Sequence, residues 1–183
     1  MAQQFPRIDP AHRKFIEKQH IFFVGSAAAT GRVNISPKGM ESLRVLDQNR
    51  IIWRNLTGSG NETAGHLAEA NRITLMWAGF EARPLILRAY GTARVVQPDA
   101  PDWYEMVGLF DAPLGARQVF DVAIELVQTS CGYGVPFFDY TGERDTLARW
   151  AEDKGPEGIR AYWREKNRAT IDGFPTGIPG DGA

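Results

Sequence analysis

The chain has 183 residues, of which 43% are hydrophobic, and its 21 lysines and arginines nearly balance its 22 aspartates and glutamates. This length and composition predict one globular domain with a core of its own. The even charge argues against a dedicated nucleic-acid binder. The single cysteine, Cys131, excludes an internal disulfide and a cysteine-rich metal site. We also expect a cytoplasmic protein without membrane contact, because a signal-peptide pattern and an apolar run of about 20 residues are both missing.

The first 60 residues predict a helix followed by short strands. Residues 1–8 are expected to form a loose arm, and Asp9-Pro10 begins a helix that ends near residue 19. Aromatic and β-branched residues then predict strands over 21–28 and 32–36, which form a hairpin. Pro37-Lys38-Gly39 is expected to end the second strand. Two more strands are predicted over 43–46 and 50–55.

The rest of the chain predicts further strands and then helices. A helix is expected over 61–69, strands over 73–80, 85–97 and 118–127, and a helix over about 99–109. Gly91 in the middle of a long strand indicates a bulge or bend. From residue 143 the apolar spacing becomes helical, and Gly155-Pro156 separates two helices. We therefore predict a single domain over 1–183 with a C-terminal helical extension over 141–173 and a flexible tail over 174–183.

This order of elements predicts a mainly β fold. Six or seven strands follow one another in an antiparallel order, with helices at both ends and one inserted helix. Consecutive short strands of this kind favour a barrel over a parallel doubly wound sheet.

A strand, a loop and a helix around residues 53–67 suggest where function lies. Ile51-Ile52-Trp53 leads into Thr57-Gly58-Ser59-Gly60-Asn61-Glu62-Thr63, and a helix is expected to begin there. A loop of small and hydroxylated residues before a helix N-terminus is typical of a phosphate site, because free N–H groups point at the ligand. An ordinary surface turn with a helix cap is the alternative.

The chain resembles the pyridoxamine 5′-phosphate oxidase-like family of FMN-binding split β-barrels. The motifs that carry this resemblance are residues 33–39, 57–63, 72–76 with Phe80-Glu81, and 87–91, and it covers roughly residues 10 to 130. The resemblance is to a general flavoprotein branch of the family, and it is expected to extend through Lys166-Asn167-Arg168 and Ile171-Asp172-Gly173. It implies an antiparallel split β-barrel, a homodimer and FMN bound at the subunit interface. It also implies that the phosphate of FMN lies near the strand-loop-helix element.

The resemblance assigns roles to particular residues. Hydroxyl and amide side chains of the loop become phosphate ligands, Lys38 becomes a cationic partner of the phosphate or the ring, and Ser36 and Pro37 line the ring edge. Arg88 is the second candidate for the positive charge, with a solvent-facing or ion-paired arginine as the alternative. The candidate cofactor-binding residues are Ser36, Pro37, Lys38, Trp53, Asn55, Thr57, Gly58, Ser59, Asn61, Thr63 and Arg88.

The chain departs from the vitamin B6 oxidases themselves. Where they commonly carry Ser-Arg-Lys, this chain has Ser59-Gly60-Asn61, and it lacks their C-terminal Arg-x-His signature. The three histidines lack metal-ligand spacing, so no metal site is predicted. The aromatic segment 131–140 is either a lid over the flavin or a packed connection to the terminal helices. Cys131 is either a reactive thiol or a small residue in a turn.

The leading functional hypothesis is an FMN-dependent oxidoreductase that transfers hydride or electrons between a nicotinamide or small organic donor and an acceptor. In such a protein the cofactor carries the chemistry, and the sequence identifies no catalytic side chain. Two alternatives remain open. One is a non-catalytic flavin or haem binder on the same fold, and the other is a reductase that uses a deazaflavin.

Overall fold

The computed structural model describes residues 2–111 and 114–179, which form eight strands and four helices. The strands are β1 Gln3–Phe5, β2 Phe22–Ser26, β3 Asn34–Lys38, β4 Leu43–Val45, β5 Arg50–Leu56, β6 Ile73–Ala78, β7 Leu85–Val96 and β8 Ala116–Cys131. The helices are α1 Pro10–Glu17, α2 Glu62–Glu69, α3 Trp103–Val107 and α4 Thr146–Lys166. Within this described part, no helix has the length and apolar character needed to span a bilayer.

The strands form one antiparallel sheet in the order β3-β2-β6-β7-β8-β5-β4, and β1 pairs with β8. The sheet curls strongly. Phe22 on β2 contacts Trp53 on β5 with ring centroids 6.2 Å apart, although three strands separate β2 from β5 in the sheet order. Trp53 also stacks on Phe120 of β8. These buried rings fill the concave side, and the prediction of a mainly β split barrel is confirmed.

Strand β1 corrects the expectation of a loose arm over residues 1–8. Gln3–Phe5 pairs with β8, and Ile8 is only 2% exposed. The backbone N–H of Ile8 also donates to the carbonyl of Gln48 at 2.8 Å. The arm is therefore held by backbone hydrogen bonds and by burial of an apolar side chain, neither of which a local pattern in so short a segment reveals.

Gly91 confirms the predicted bulge. The register between β7 and β8 shifts between Tyr90 and Gly91. A Cβ atom on Gly91 would lie 1.8 Å from the carbonyl oxygen of Ala123. Only glycine permits this approach of two backbones, which helps the long strands to curl.

Two strand boundaries differ from the prediction and matter for the site. β3 continues through Pro37 and Lys38 instead of ending before them. It is an edge strand, and a proline is tolerated there because one side of the strand forms no hydrogen bonds with a neighbouring strand. β8 begins at Ala116, two residues before the predicted strand, and therefore includes Arg117.

The C-terminal region consists of α4 and a segment that folds back. α4 is kinked at Gly155, whose φ of 63° and ψ of 172° divide it near the predicted break. After α4 the chain reverses, and Ala169 bridges to Pro175. Thr176 and Ile178 are buried. Within the predicted flexible tail, the carbonyl of Thr176 accepts from the side chains of Gln97 and Gln118, while residues 180–183 lie outside the described residues.

Candidate functional site

A polar cavity of about 290 Å³ lies beside the strand-loop-helix element, and we call it the loop cavity. Alternate residues of β3 face it, while the side chains between them point away. Its lining residues are Asn34, Ser36, Lys38, Trp53, Asn55, Gly58, Ser59, Gly60, Asn61, Glu62, Thr63 and Arg117. The structure thus brings together eight of the eleven predicted cofactor residues, from Ser36 on β3 to Thr63 on α2.

Lys38 lies at the edge of this cavity, with its Nζ 5.2 Å from the ring centroid of Trp53. Burial, together with the positive charge of Arg117, lowers the pKa of Lys38 from 10.5 to about 8. Burial and a nearby like charge both disfavour the protonated form of a lysine. The protonated form of Lys38 is therefore destabilised at this site. An anionic ligand in the cavity would offset this destabilisation.

Arg117 is the functional candidate that sequence reasoning missed. Its side chain is only 2% exposed, and its Nη1 and Nη2 donate to the carbonyls of Gly58 at 3.3 Å and Gly60 at 3.0 Å. Burial lowers the pKa of Arg117 to about 10. One signal in the sequence was available. An arginine two residues after Gly115, at the start of an alternating strand, must find a polar partner inside the fold.

No carboxylate pairs with Lys38 or Arg117 among the described residues. Glu62 also lines the cavity, but its carboxylate accepts the backbone N–H of Ile171 at 3.1 Å. The cavity therefore presents two cationic side chains and one carboxylate that is engaged elsewhere.

Three buried polar atoms at this cavity have no hydrogen-bond partner among the described residues. They are the indole Nε1 of Trp53, the Nε of Arg117 and the Oδ1 of Asn61. A buried polar group without a partner is costly, and such atoms in a native site are commonly satisfied by a ligand or water. Two donors and two cations around a small polar cavity fit the phosphate end of a nucleotide-like cofactor.

Other predicted ligands are bonded within the protein. The Thr57 hydroxyl donates to the carbonyl of Gly115 and accepts from Nε1 of Trp163, both at 2.8 Å. Asn55 donates to Gln118 at 3.1 Å. These contacts hold the loop in place, while Asn55 also lines the loop cavity and Thr57 lines the aromatic cavity.

Thr63 lies at the cavity and belongs to a small hydroxyl network. Its Oγ1 lies 3.2 Å from Oγ of Ser26 and accepts from Asn34 at 3.4 Å. The Ser26 hydroxyl also lies 3.1 Å from Nδ1 of the buried His66. This network ties the start of α2 to β2 and β3.

Arg88 does not reach the loop cavity. It lies on β7, and its Nη1 is 3.3 Å from the hydroxyl of Ser130 on β8. Arg54, which lies between Trp53 and Asn55, instead donates to the backbone carbonyls of Met40 and Asp111. The positive charge at the loop therefore comes from Lys38 and Arg117.

A second cavity of about 940 Å³ adjoins the first, and we call it the aromatic cavity. Its apolar and aromatic walls come from β2 and the residue before it, from the end of β3 and the turn after it, from the turn after β6, from the segment before α4 and from α4 itself. They include Ile21, Phe23, Pro37, Met40, Phe80, Phe138, Tyr140, Leu147, Trp150 and Tyr162. Lys38 and Gly58 line both cavities, so a ligand held at the loop can extend into the aromatic cavity.

The aromatic segment 131–140 forms part of this wall. The Phe138 ring packs against Phe80 with centroids 5.2 Å apart, and the Tyr140 ring stacks on His20 at 3.6 Å. Phe137 is 79% exposed and does not line the cavity. Cys131 is an exposed free thiol that lines neither cavity.

Comparison with known proteins identifies the family to which this chain belongs. The model of the pyridoxamine 5′-phosphate oxidase family matches residues 8–131, which is more than half of the chain, and the chain belongs to this family. The predicted family resemblance is thereby confirmed.

Particular relatives can also be named. The pyridoxamine 5′-phosphate oxidase family protein ustO of Aspergillus flavus is 35% identical over 181 residues, which cover 89% of this chain and 73% of that protein. A Lactobacillus delbrueckii protein provisionally assigned as a pyridoxamine 5′-phosphate oxidase has a TM-score of 0.55 at 18% identity, covering 67% of this chain and 94% of its own.

The haem storage protein HutZ of Vibrio cholerae has a TM-score of 0.50 at 16% identity, covering 69% of this chain and 98% of its own. At these identities the two solved structures show a shared fold. Both are covered almost completely, so about a third of this chain extends beyond what they share with it.

Proposed function

We propose that this protein is an FMN-dependent oxidoreductase that binds the cofactor phosphate in the loop cavity and the flavin ring toward the aromatic cavity. One observation carries this proposal. Lys38 and Arg117 bring two buried positive charges, without a paired carboxylate among the described residues, to a small polar cavity that joins a larger aromatic one. Membership of the pyridoxamine 5′-phosphate oxidase family supports a flavin as the ligand.

The charge balance favours a phosphate over a neutral group. A phosphate ester carries between one and two negative charges near neutral pH and several strong acceptor oxygens. It would stabilise the protonated form of Lys38 and accept hydrogen bonds from Arg117. A neutral group would leave the repulsion between these two cations in place.

The aromatic cavity suggests the class of substrate. Its volume of about 940 Å³ exceeds what a flavin ring needs, and several aromatic rings lie in its walls. Two of its charged residues, Lys18 and Glu81, pair with each other. We therefore propose a planar, weakly polar small molecule as the substrate, with a nicotinamide or a small organic reductant as the electron donor.

Bound FMN supplies the hydride or electron transfer, and this chain supplies binding and orientation. Lys38 and Arg117 hold the phosphate, the N–H of Trp53 offers a hydrogen bond at the border of the cavity, and the aromatic walls exclude water. No side chain is required as a general acid or base.

We further propose that the protein is a homodimer, as the family resemblance implies. The edge strand β3 supports this proposal. Ile35 is 70% exposed and Val33, just before the strand, is 71% exposed, beside the residues that line the loop cavity. Exposed apolar side chains on a sheet edge are typical of an association surface. Size-exclusion chromatography with light scattering tests this, and Ile35→Glu should shift a dimer toward the monomer.

A second candidate function is haem binding without catalysis. The observation that favours it is His20, whose imidazole lines the aromatic cavity and is thereby available as an iron ligand. The fold is shared with the haem storage protein HutZ. An intense haem absorption band that disappears in His20→Ala would support this candidate over the flavin.

The decisive experiment compares FMN with riboflavin, which lacks the phosphate. Purified protein stripped of bound small molecules is titrated with each flavin, and flavin fluorescence is recorded. We expect FMN to bind much more tightly than riboflavin. The complex should then be reduced anaerobically by NADH or NADPH. Failure to bind FMN would overturn the proposal, whereas FMN binding without reduction by any donor would indicate a non-catalytic flavin protein.

A further inference from the structure

The segment after α4 packs against the loop over residues 58–61, which lines the loop cavity. Asn167, the first residue after α4, is fully buried. Its side-chain amide donates to the carbonyls of Gly58 at 3.0 Å and Ser59 at 3.3 Å. Its backbone carbonyl accepts from the side chains of Asn61 at 3.3 Å and Thr176 at 2.5 Å. One residue thus contacts three of the four residues between 58 and 61.

These contacts, together with those of Arg117 to the carbonyls of Gly58 and Gly60, determine which way the loop peptides face. In a trans peptide the C=O and the following N–H point in opposite directions. Because Asn167 holds the carbonyls of Gly58 and Ser59, the N–H groups of Ser59 and Gly60 point away from it. These two N–H groups have no acceptor among the described residues. They therefore remain available to a ligand.

Other contacts of the C-terminal region hold the two flanks of the loop. Trp163, on the last turn of α4, donates its indole N–H to Thr57 at 2.8 Å. On the other side, a Cβ at Gly65 of α2 would lie 2.4 Å from Thr170, so α2 and the returning segment are in close contact. The C-terminal region therefore contacts the residues at both ends of the loop.

This support lies outside the part of the chain that the family model matches, which ends at residue 131. We propose that Asn167 is a positioning residue for phosphate binding, and that the C-terminal segment thereby completes the anion site within the same chain. This inference deepens the proposed function and rests on it. Asn167 acts through the loop, because its amide orients the donors and does not itself line the cavity.

The test compares the affinities of Asn167→Ala for FMN and for riboflavin. Loss of the two loop hydrogen bonds should weaken FMN binding about tenfold or more, since misdirected donors no longer meet the phosphate. Riboflavin affinity should stay within about twofold, because riboflavin does not use the loop. A role in general stability alone would weaken both flavins equally, and that result would overturn the inference, as would wild-type affinity for FMN.

Asn49 provides a matched control. Its side-chain amide also donates to two backbone carbonyls, those of Pro6 at 3.1 Å and Ile124 at 2.9 Å, at a place away from both cavities. Asn49→Ala should leave the ratio of FMN to riboflavin affinity unchanged, and a shifted ratio would count against the inference.

Trp163→Phe provides a second variant in case Asn167→Ala does not fold. It removes only the N–H that reaches Thr57, and we expect a smaller loss that is again specific for FMN. An unchanged ratio of FMN to riboflavin affinity would overturn the inference. If wild-type protein binds neither flavin, the proposed function itself fails, which distinguishes that failure from failure of the role of Asn167.

Discussion

Lys38 and Arg117 face one cavity from β3 and β8, although three strands separate these two in the sheet. The curl of the sheet brings them together, and the charge of Arg117 contributes to lowering the pKa of Lys38. Neither cation has a carboxylate partner among the described residues. Two buried charges of one sign are tolerated where a ligand of opposite sign offsets them, and the first two predictions follow from this pair.

Replacing Arg117 should weaken FMN binding much more than riboflavin binding. Loss of a charged hydrogen bond costs about 1.5–3 kcal/mol, which corresponds to roughly 10- to 100-fold in affinity for Arg117→Ala. Arg88→Ala is the matched control, because Arg88 lies on the neighbouring strand and contacts Ser130 instead. Fluorescence titration with both flavins measures the effect. Equal losses in the two arginine variants would contradict the assignment of Arg117.

FMN affinity should fall as the pH rises through about 8, the pKa of Lys38 in the unliganded protein. If only the charged lysine binds the phosphate well, affinity should decrease by up to about tenfold between about pH 7 and about pH 9. Lys38→Met should bind FMN more weakly and lose this dependence. Riboflavin titrations over the same range control for other groups, and an unchanged pH profile in Lys38→Met would exclude this role.

The same pKa has a consequence for folding. The pKa of Lys38 is lowered in the folded protein from its ordinary value of 10.5 to about 8, so between these pH values the unfolded chain binds more protons. The free energy of unfolding contributed by this group therefore rises with pH across that window and is lowest below pH 8. Urea unfolding of wild type and Lys38→Met without cofactor should converge as the pH approaches 10.5. A constant difference would contradict the lowered pKa.

Phe138 and Phe137 are adjacent residues with different surroundings, which makes them a paired test of the aromatic cavity. Phe138 lines the cavity and packs on Phe80, whereas Phe137 is exposed and does not line it. Phe138→Ala should slow reoxidation of the reduced flavin by menadione, a planar quinone, by about tenfold through lost apolar contact. Reoxidation by ferricyanide, which is small and charged, should change little.

Phe137→Ala should leave both rates close to those of wild type. Stopped-flow absorbance after reduction with dithionite measures all of them. Equal slowing with menadione and ferricyanide would indicate damage to flavin binding, and no slowing in Phe138→Ala would place the acceptor elsewhere.

Gly91→Ala should destabilise the barrel. The added Cβ would meet the carbonyl of Ala123 at 1.8 Å, and the two strands would have to separate there. Overpacking of this kind costs about 1–3 kcal/mol or more, measured as a lower midpoint in urea. Gly134→Ala is the control, because a Cβ there has no neighbour within 4 Å. A Gly91→Ala midpoint equal to that of the control would show that the strands adjust freely.

Local patterns in the sequence were sufficient for the order of the elements and for the place of the site. The hairpin of β2 and β3, the bulge at Gly91 and the loop before α2 each follow from residues that are close in sequence. Alternation, turn residues and a glycine inside a long strand act over a few residues, and their effect on the backbone is therefore visible in the sequence.

Tertiary structure decided which polar side chains of the site are hydrogen-bonded inside the fold and which other residues join them at the cavity. Thr57 and Asn55 suggest ligands in sequence, but Trp163 and Gln118, residues 106 and 63 positions away, bond to them inside the fold. The second positive charge at the loop, beside the predicted Lys38, comes from Arg117, 57 to 59 residues after the carbonyls that it contacts. Such contacts depend on the curl of the sheet and on the return of the C-terminal segment. No local pattern specifies them, because burial and long-range pairing arise only when the whole chain is packed.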